Sequence, residues 1–282
     1  MLETEALETG VWQAFDGWLT IFNDTLELTA AVPHAFKYVV DSVDTDKWAH
    51  INRILGMIAG QTYDACKNVI DREHETLHVL CLLASWGAFE AFIEEATKAA
   101  LRAEPALLAK PEFARTTRKV AEKNLSPDDS REEIIDKVVN GQRGPLTEDG
   151  DGKYEDQLRL ADLGDQVPRD LAKALMEAQQ VRNVWAHNSG RADDVLMRQA
   201  PGLGVQIGDT VKVDLKMLGT YILAQNTYAT IIINRFRSKH GLPAMECHGG
   251  VNMFKSSFDQ LYPSALSAYE LQKSVKAERR QK

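Results

Sequence analysis

Val11, Trp12, Phe15, Trp18, Leu19, Phe22 and Leu26 recur at three- and four-residue steps, the period of one face of an α-helix. The spacing predicts a packed helix from about Gly10 to Val43, with Pro33 ending or kinking it and Ala35 to Val43 resuming as a second piece. Asp44-Thr45-Asp46 supplies N-cap candidates for a helix to about Ile70, with Trp48, Ile51, Ile54, Leu55, Ile58 and Ala59 as its buried stripe. From Glu73 to Leu101 the pattern is nearly apolar through the middle, as a central helix should be. Leu171, Ala174, Leu175, Ala178 and Val181 mark a further amphipathic helix that opens at Pro168, and Asn188 and Gly190 punctuate its end.

Between these runs the chain changes character. Ala106 to Lys123 reads as short helical pieces broken by Pro111, and Ser126-Pro127-Asp128-Asp129 caps a helix through about Val139. A Gly- and Asp-rich loop follows, then a short helix over Glu155 to Leu163. After the 168–190 helix, Gly204 to Val213 alternates around a Gly-Asp turn and predicts a small β-hairpin. Asp214 caps a last long helix from Leu215 to about Ser238, and the tail holds a helix over Ala265 to Lys276 with a basic end. The expected fold is mainly α: an antiparallel helical bundle with a small β-hairpin after the 168–190 helix. Its expected organisation is an N-terminal helical segment (1–44) packed on a bundle (45–240), with an insertion at about 105–165 and a C-terminal helical tail (241–282).

Composition narrows the choices. At 282 residues, 44% hydrophobic and 26% charged, the chain can bury a large core and is no case for global disorder. No apolar run reaches the roughly 18 residues of a membrane span, and Met-Leu-Glu-Thr-Glu does not read as a signal peptide, so a cytoplasmic protein with no membrane partner is expected. Cys66, Cys81 and Cys247 lack C-x-x-C spacing and read as thiols rather than as a disulfide framework or zinc knuckle. The net charge of −8 argues against a broad basic face for long nucleic acid, so any RNA site is expected to be local. Arg118, Lys119, Lys123, Lys137, Arg143 and Lys153 are either a steering rim or solvated surface. The Asp-Gly-Asp-Gly run lacks the ligand set of a calcium loop.

The densest candidate chemistry is Val181-Arg182-Asn183-Val184-Trp185-Ala186-His187-Asn188-Ser189-Gly190. Neutral imidazole can take a proton from a ribose 2′-hydroxyl and imidazolium can give one to the leaving 5′-oxygen; an unperturbed pKa of about 6.5 lets both forms exist near neutrality. Arg182 offers a planar fork of donors to a phosphate gaining charge, and Asn183 can orient the imidazole or bind a phosphate oxygen. On one helix Arg182 and His187 point about 140° apart, so both reach one phosphate only if the helix loosens or a second copy supplies the partner. Arg/His pairs at similar spacing occur at Arg72/His78, in a charged helix start, and at Arg235/His240, in a basic helix end that reads as dipole and C-cap chemistry. Only Arg182 is followed by Asn and then by an apolar Val-Trp-Ala insert.

Arg-Asn-x-x-x-His closing an apolar helix resembles the signature of the HEPN superfamily of all-helical dimeric domains, over about Trp48 to Lys239 of this chain. The run Ala88-Phe89-Glu90-Ala91-Phe92 is similar to the helix that precedes the Arg/His helix there, with Glu90 at the recurring acidic position. The resemblance implies a homodimeric, metal-independent endoribonuclease with no cofactor, of the kind found in toxin–antitoxin and anti-phage systems. An antitoxin or defence-system partner goes with that reading. Arg182, Asn183 and His187 would be catalytic, and Glu90 and Asn188 supporting. Two alternatives stay open. One is a HEPN-like scaffold that binds nucleotide or protein without cleavage. The other is a zinc peptidase using His74-Glu75-Thr76-Leu77-His78, which matches H-E-x-x-H but lacks an uncharged lead-in and a third ligand.

Overall fold

The computed structural model describes residues 2–123, 125–141 and 152–245, and the helices come where the periodicity put most of them. α1 spans Leu2–Ser42 and buries Val11, Phe15, Trp18 and Phe22. Pro33 sits inside this helix without ending it. The missing N–H removes one bond to the Thr29 carbonyl, and the helix runs on past the gap to Ser42. The expected break is therefore absent.

The second expected helix is two. α2 (Thr45–Ile51) is capped by Asp44, whose side chain accepts from the Lys47 N–H at 2.9 Å, and α3 (Arg53–Asp71) is capped by Asn52, accepting from Ile54 N–H at 2.8 Å. Asn52 is extended at φ −160°, because its short amide satisfies the next helix's first donors in place of a continued helix. The stripe expected to be buried here is not. Ile51, Ile54 and Ile58 are 61%, 62% and 51% exposed, and Trp48 and Leu55 are exposed as well.

α4 (Glu75–Ala103) is the helix on which α1 packs, with Trp18 5.7 Å from Phe89 and Phe15 5.8 Å from Phe92 in edge-on ring contacts. Gly10 lies where a Cβ would come 3.1 Å from that of Ala99, so α1 and α4 run antiparallel at close range. By length and composition α4 can cross a membrane, and half of its most apolar window is buried inside this fold. After two 3₁₀ turns at Pro105–Ala109 and Pro111–Phe113 come α5 (Ala114–Ala121) and α6 (Pro127–Val139), the latter capped by Ser126 as expected. α7 covers Lys153–Leu160. Phe113, Val120, Ile135, Tyr154 and Leu158 are fully buried, so 105–165, read from sequence as an insertion, contributes directly to the hydrophobic interior.

α8 (Arg169–His187), α9 (Asp194–Gln199, capped by Asp193) and α10 (Leu215–Lys239, capped by Asp214 at 2.7 Å from Met217 N) complete the helices. Among the described residues there is no strand. The expected hairpin over 204–213 is replaced by a turn at Gln206–Asp209 whose far side pairs with residues just after α8. Arg191 and Thr210 form a single antiparallel bridge, and Val211 N–H donates to Gly190 O at 2.8 Å. The expected tail helix over 265–276, Cys247 and Arg143 lie outside the described residues.

Candidate functional site

Leu171, Ala174, Leu175, Ala178, Val181 and Val184 bury one face of α8, which fixes the rotation of the helix and leaves Arg182 and Asn183 half-buried and His187 exposed. The end of the helix is built tightly. Asn188 and Gly190 N–H groups both donate to Val184 O, at 2.8 and 2.9 Å, and the Asn188 amide donates to Arg191 O at 2.7 Å. Gly190 has φ +76°, and a Cβ there would sit 2.7 Å from the Trp185 ring, so glycine is required twice over. Trp185 Nε1 donates to Val211 O at 2.9 Å and ties the motif to the segment leading into α10.

Arg182 reaches across to α4. Its Nη2 lies 3.3 Å from Glu90 Oε2 and its Nη1 donates to Asn183 Oδ1 at 3.0 Å; the Arg182 and Glu90 side chains are a quarter exposed. The other Glu90 oxygen accepts from the Tyr154 hydroxyl at 2.9 Å. Tyr154 is buried on α7, and burial first, then the Glu90 carboxylate, pushes its phenol well above the ordinary value. The structure thus joins three of the expected residues, Glu90, Arg182 and Asn183, and adds Tyr154. No short motif marks Tyr154, whose only signal is that it is the aromatic residue of a charged eight-residue helix.

His187 is not part of this cluster. Among the described residues no hydrogen bond or ion pair joins it to Arg182, and its ring faces solvent at the last residue of α8. Asn188 serves the turn rather than the cluster.

The competing motifs resolve into structural roles. His78 is buried and its Nδ1 lies 3.0 Å from Val213 O, whereas His74 precedes α4 with φ +59° and stacks on Phe36. His74 is the left-handed N-cap and lies outside the α4 helix that carries His78, and no group of three or more His, Cys, Asp or Glu among the described residues is placed to hold a metal. Burial, then the nearby His78, lowers the His74 pKa. Arg235 is not a helix-end cation as expected. It is buried against the fully buried Glu155 at 2.8 Å, and it donates to Leu163 O at 3.2 Å and Asp165 O at 3.0 Å, clamping the segment before α8 onto α10. Tyr228 donates to the same carboxylate, and burial followed by Glu155 raises its phenol well above the ordinary value. His240 does cap α10, 3.3 Å from Glu104.

Of the proposed basic rim, Arg118 and Lys119 are exposed, and Lys123 and Lys137 pair with Glu133. A surface cavity between the start of α1 and the end of α4, lined by Gly10, Gln13, Glu95 and Arg102, includes none of the motif residues. Compared with models of known families, with characterised proteins and with solved structures, the chain matches none.

Proposed function

We propose that this protein is a HEPN-like helical bundle acting as a homodimeric, metal-independent endoribonuclease in the cytoplasm, in the manner of a toxin or anti-phage effector. The observation that carries the reading is the cluster in which Arg182 and Asn183, on the last turns of α8, meet Glu90 of α4, followed one turn later by the solvent-facing His187. Within one chain the guanidinium and imidazole diverge. A second copy bringing its own α8 terminus alongside supplies an imidazole to each guanidinium and a pair of imidazoles to one phosphate, one basic and one acidic.

In that arrangement His187 of one copy removes the 2′-hydroxyl proton and the 2′-oxygen attacks phosphorus. The phosphorus–O5′ bond breaks, and the twin imidazole protonates the departing 5′-oxygen. Arg182 bears on the phosphorane charge and Asn183 orients it. The products are a 2′,3′-cyclic phosphate and a 5′-hydroxyl. Incubation of the pure protein with total RNA in chelator should give those ends, and His187→Ala should abolish cleavage while leaving the helical circular dichroism intact. Cleavage undiminished in His187→Ala overturns the reading.

One observation favours the scaffold alternative. Glu90 neutralises Arg182, so the fork is already engaged when no phosphate is present. A protein that leaves all RNA intact in the same assay while binding a nucleotide or protein through this face would be that scaffold.

A further inference from the structure

The predicted stripe that failed to find a core points to an interface. From residue 30 to residue 65 no side chain is buried, although this stretch is as rich in apolar residues as the helices that fill the interior. It forms an arm. The last turns of α1 run out past Thr29, α2 turns back at Asp44, and α3 returns to Asp71 just before α4. Between α2 and α3 the contact is made by small residues. A Cβ on Gly56 would come 2.6 Å from Ala49 Cα, and the half-buried positions in the first half of α3 are Gly56, Ala59 and Gly60. The large side chains face outward: Trp48, Ile51, Ile54, Leu55, Met57 and Ile58 are between 41% and 62% exposed.

Helices draw most of their stability from burying an apolar face in tertiary contacts. An arm that buries none of its large residues therefore lacks the surface that covers them. The uncovered patch is on the order of 500 Å² of apolar area, taking roughly 150–200 Å² for each bare large side chain. This is the right size for the apolar centre of a standard interface, which removes about 800 Å² per partner, rim included.

The charges choose the occupant. Over residues 44–58 there are two acids, Asp44 and Asp46, and two bases, Lys47 and Arg53. An anionic bilayer would select a basic border around such a face, which is absent. A two-fold contact, in which the same patch meets itself, needs both signs in balance so that each acid can face a base. We infer that the α2–α3 tip is a self-association surface and that its occupant is the same arm of a second copy. The inference does not rest on the nuclease reading, because the arm shares no residue with the Arg182–His187 cluster.

The test is the oligomeric state of the full chain by sedimentation and light scattering. Wild type should be a dimer at micromolar concentration, and Ile54→Glu/Ile58→Glu should weaken it by about 100-fold or more, since two charges would be placed at the centre of the contact. Helical circular dichroism should be unchanged because both positions are exposed; if that variant does not fold, Trp48→Ser/Ile51→Ser takes its place with the same readout. A wild type that stays monomeric at high concentration overturns the proposal, as does a variant that dimerises as tightly as wild type, which would place the seam at the α8 termini and not at the arm. Monomeric wild type that sediments with phosphatidylcholine–phosphatidylglycerol vesicles also overturns it and gives the face to a bilayer.

Discussion

Two carboxylates, Glu90 and Glu155, each receive one tyrosine hydroxyl and one arginine, and they differ in what the arrangement leaves accessible. Glu155 and Arg235 are 0% and 8% exposed, so that pair is sealed and holds elements together, whereas Arg182 and Glu90 keep a quarter of their side chains open to a ligand. An arginine in the first setting is structural; in the second it can trade a carboxylate for a phosphate. The phenols also carry a pH signature. Tyr154 and Tyr228 are raised above the ordinary value of about 10 by burial and then by their carboxylate partners. A group whose folded pKa lies above its unfolded one gives stability that is complete below the unfolded value and is lost as pH climbs through the folded one. The urea midpoint should therefore hold up to about pH 10 and fall beyond it, and Tyr228→Phe, already weaker by about 1 kcal/mol at pH 8 from its lost hydrogen bond, should fall less steeply. Parallel declines in the two proteins would show that the phenol does not carry the effect.

At the scale of elements, the periodic runs that have a partner in this chain were readable. Val11, Phe15, Trp18 and Phe22 of the first stripe, though not the exposed Trp12, the apolar middle of α4, the buried face of α8 and the caps at Asp44, Ser126 and Asp214 stand where spacing and cap chemistry placed them. What was not readable depends on distant contacts. An apolar stripe says that a face is to be covered and not by what, so α2 and α3 looked like core. Asn52 splits them through a single side-chain bond that is not visible in a hydrophobic pattern. Gly204–Val213 alternates like a hairpin, but Gly190 and Ala192, not its own first half, take the ladder bonds. The Glu90 position was legible beside the Arg/His motif; Tyr154 was not, because only the docking of α7 on α4 brings it there. Pro33 gives a test at this scale. It occupies a helix interior where proline costs about 3 kcal/mol relative to alanine, so Pro33→Ala should raise the unfolding free energy by about 1–3 kcal/mol in urea melts. A loss of stability would instead mean that a bend at Pro33 is what seats α1 on α3.

For the molecule as a whole, charge and shape constrain any RNA reaction more than the local motif does. With a net charge of −8 the body repels a polyanion, and the described bases beside the 105–165 region are spent on Glu133 or scattered. In the proposed dimer attraction would come from the α8 termini themselves, one Arg182 per copy. Such a dimer would meet about two phosphates rather than a long backbone track. Each phosphate neutralised on a single strand contributes about −0.7 to the slope of log K against log salt, so the expected slope is roughly −1.4. Anisotropy of a short labelled RNA on the His187→Ala protein, titrated at several salt concentrations, measures it directly. A slope steeper than about −5 would require an extended basic surface, and the local site at the end of α8 would then be the wrong place to look for binding. A slope near the expected value that vanishes in Arg182→Ala would place the contact at the guanidinium that Glu90 holds.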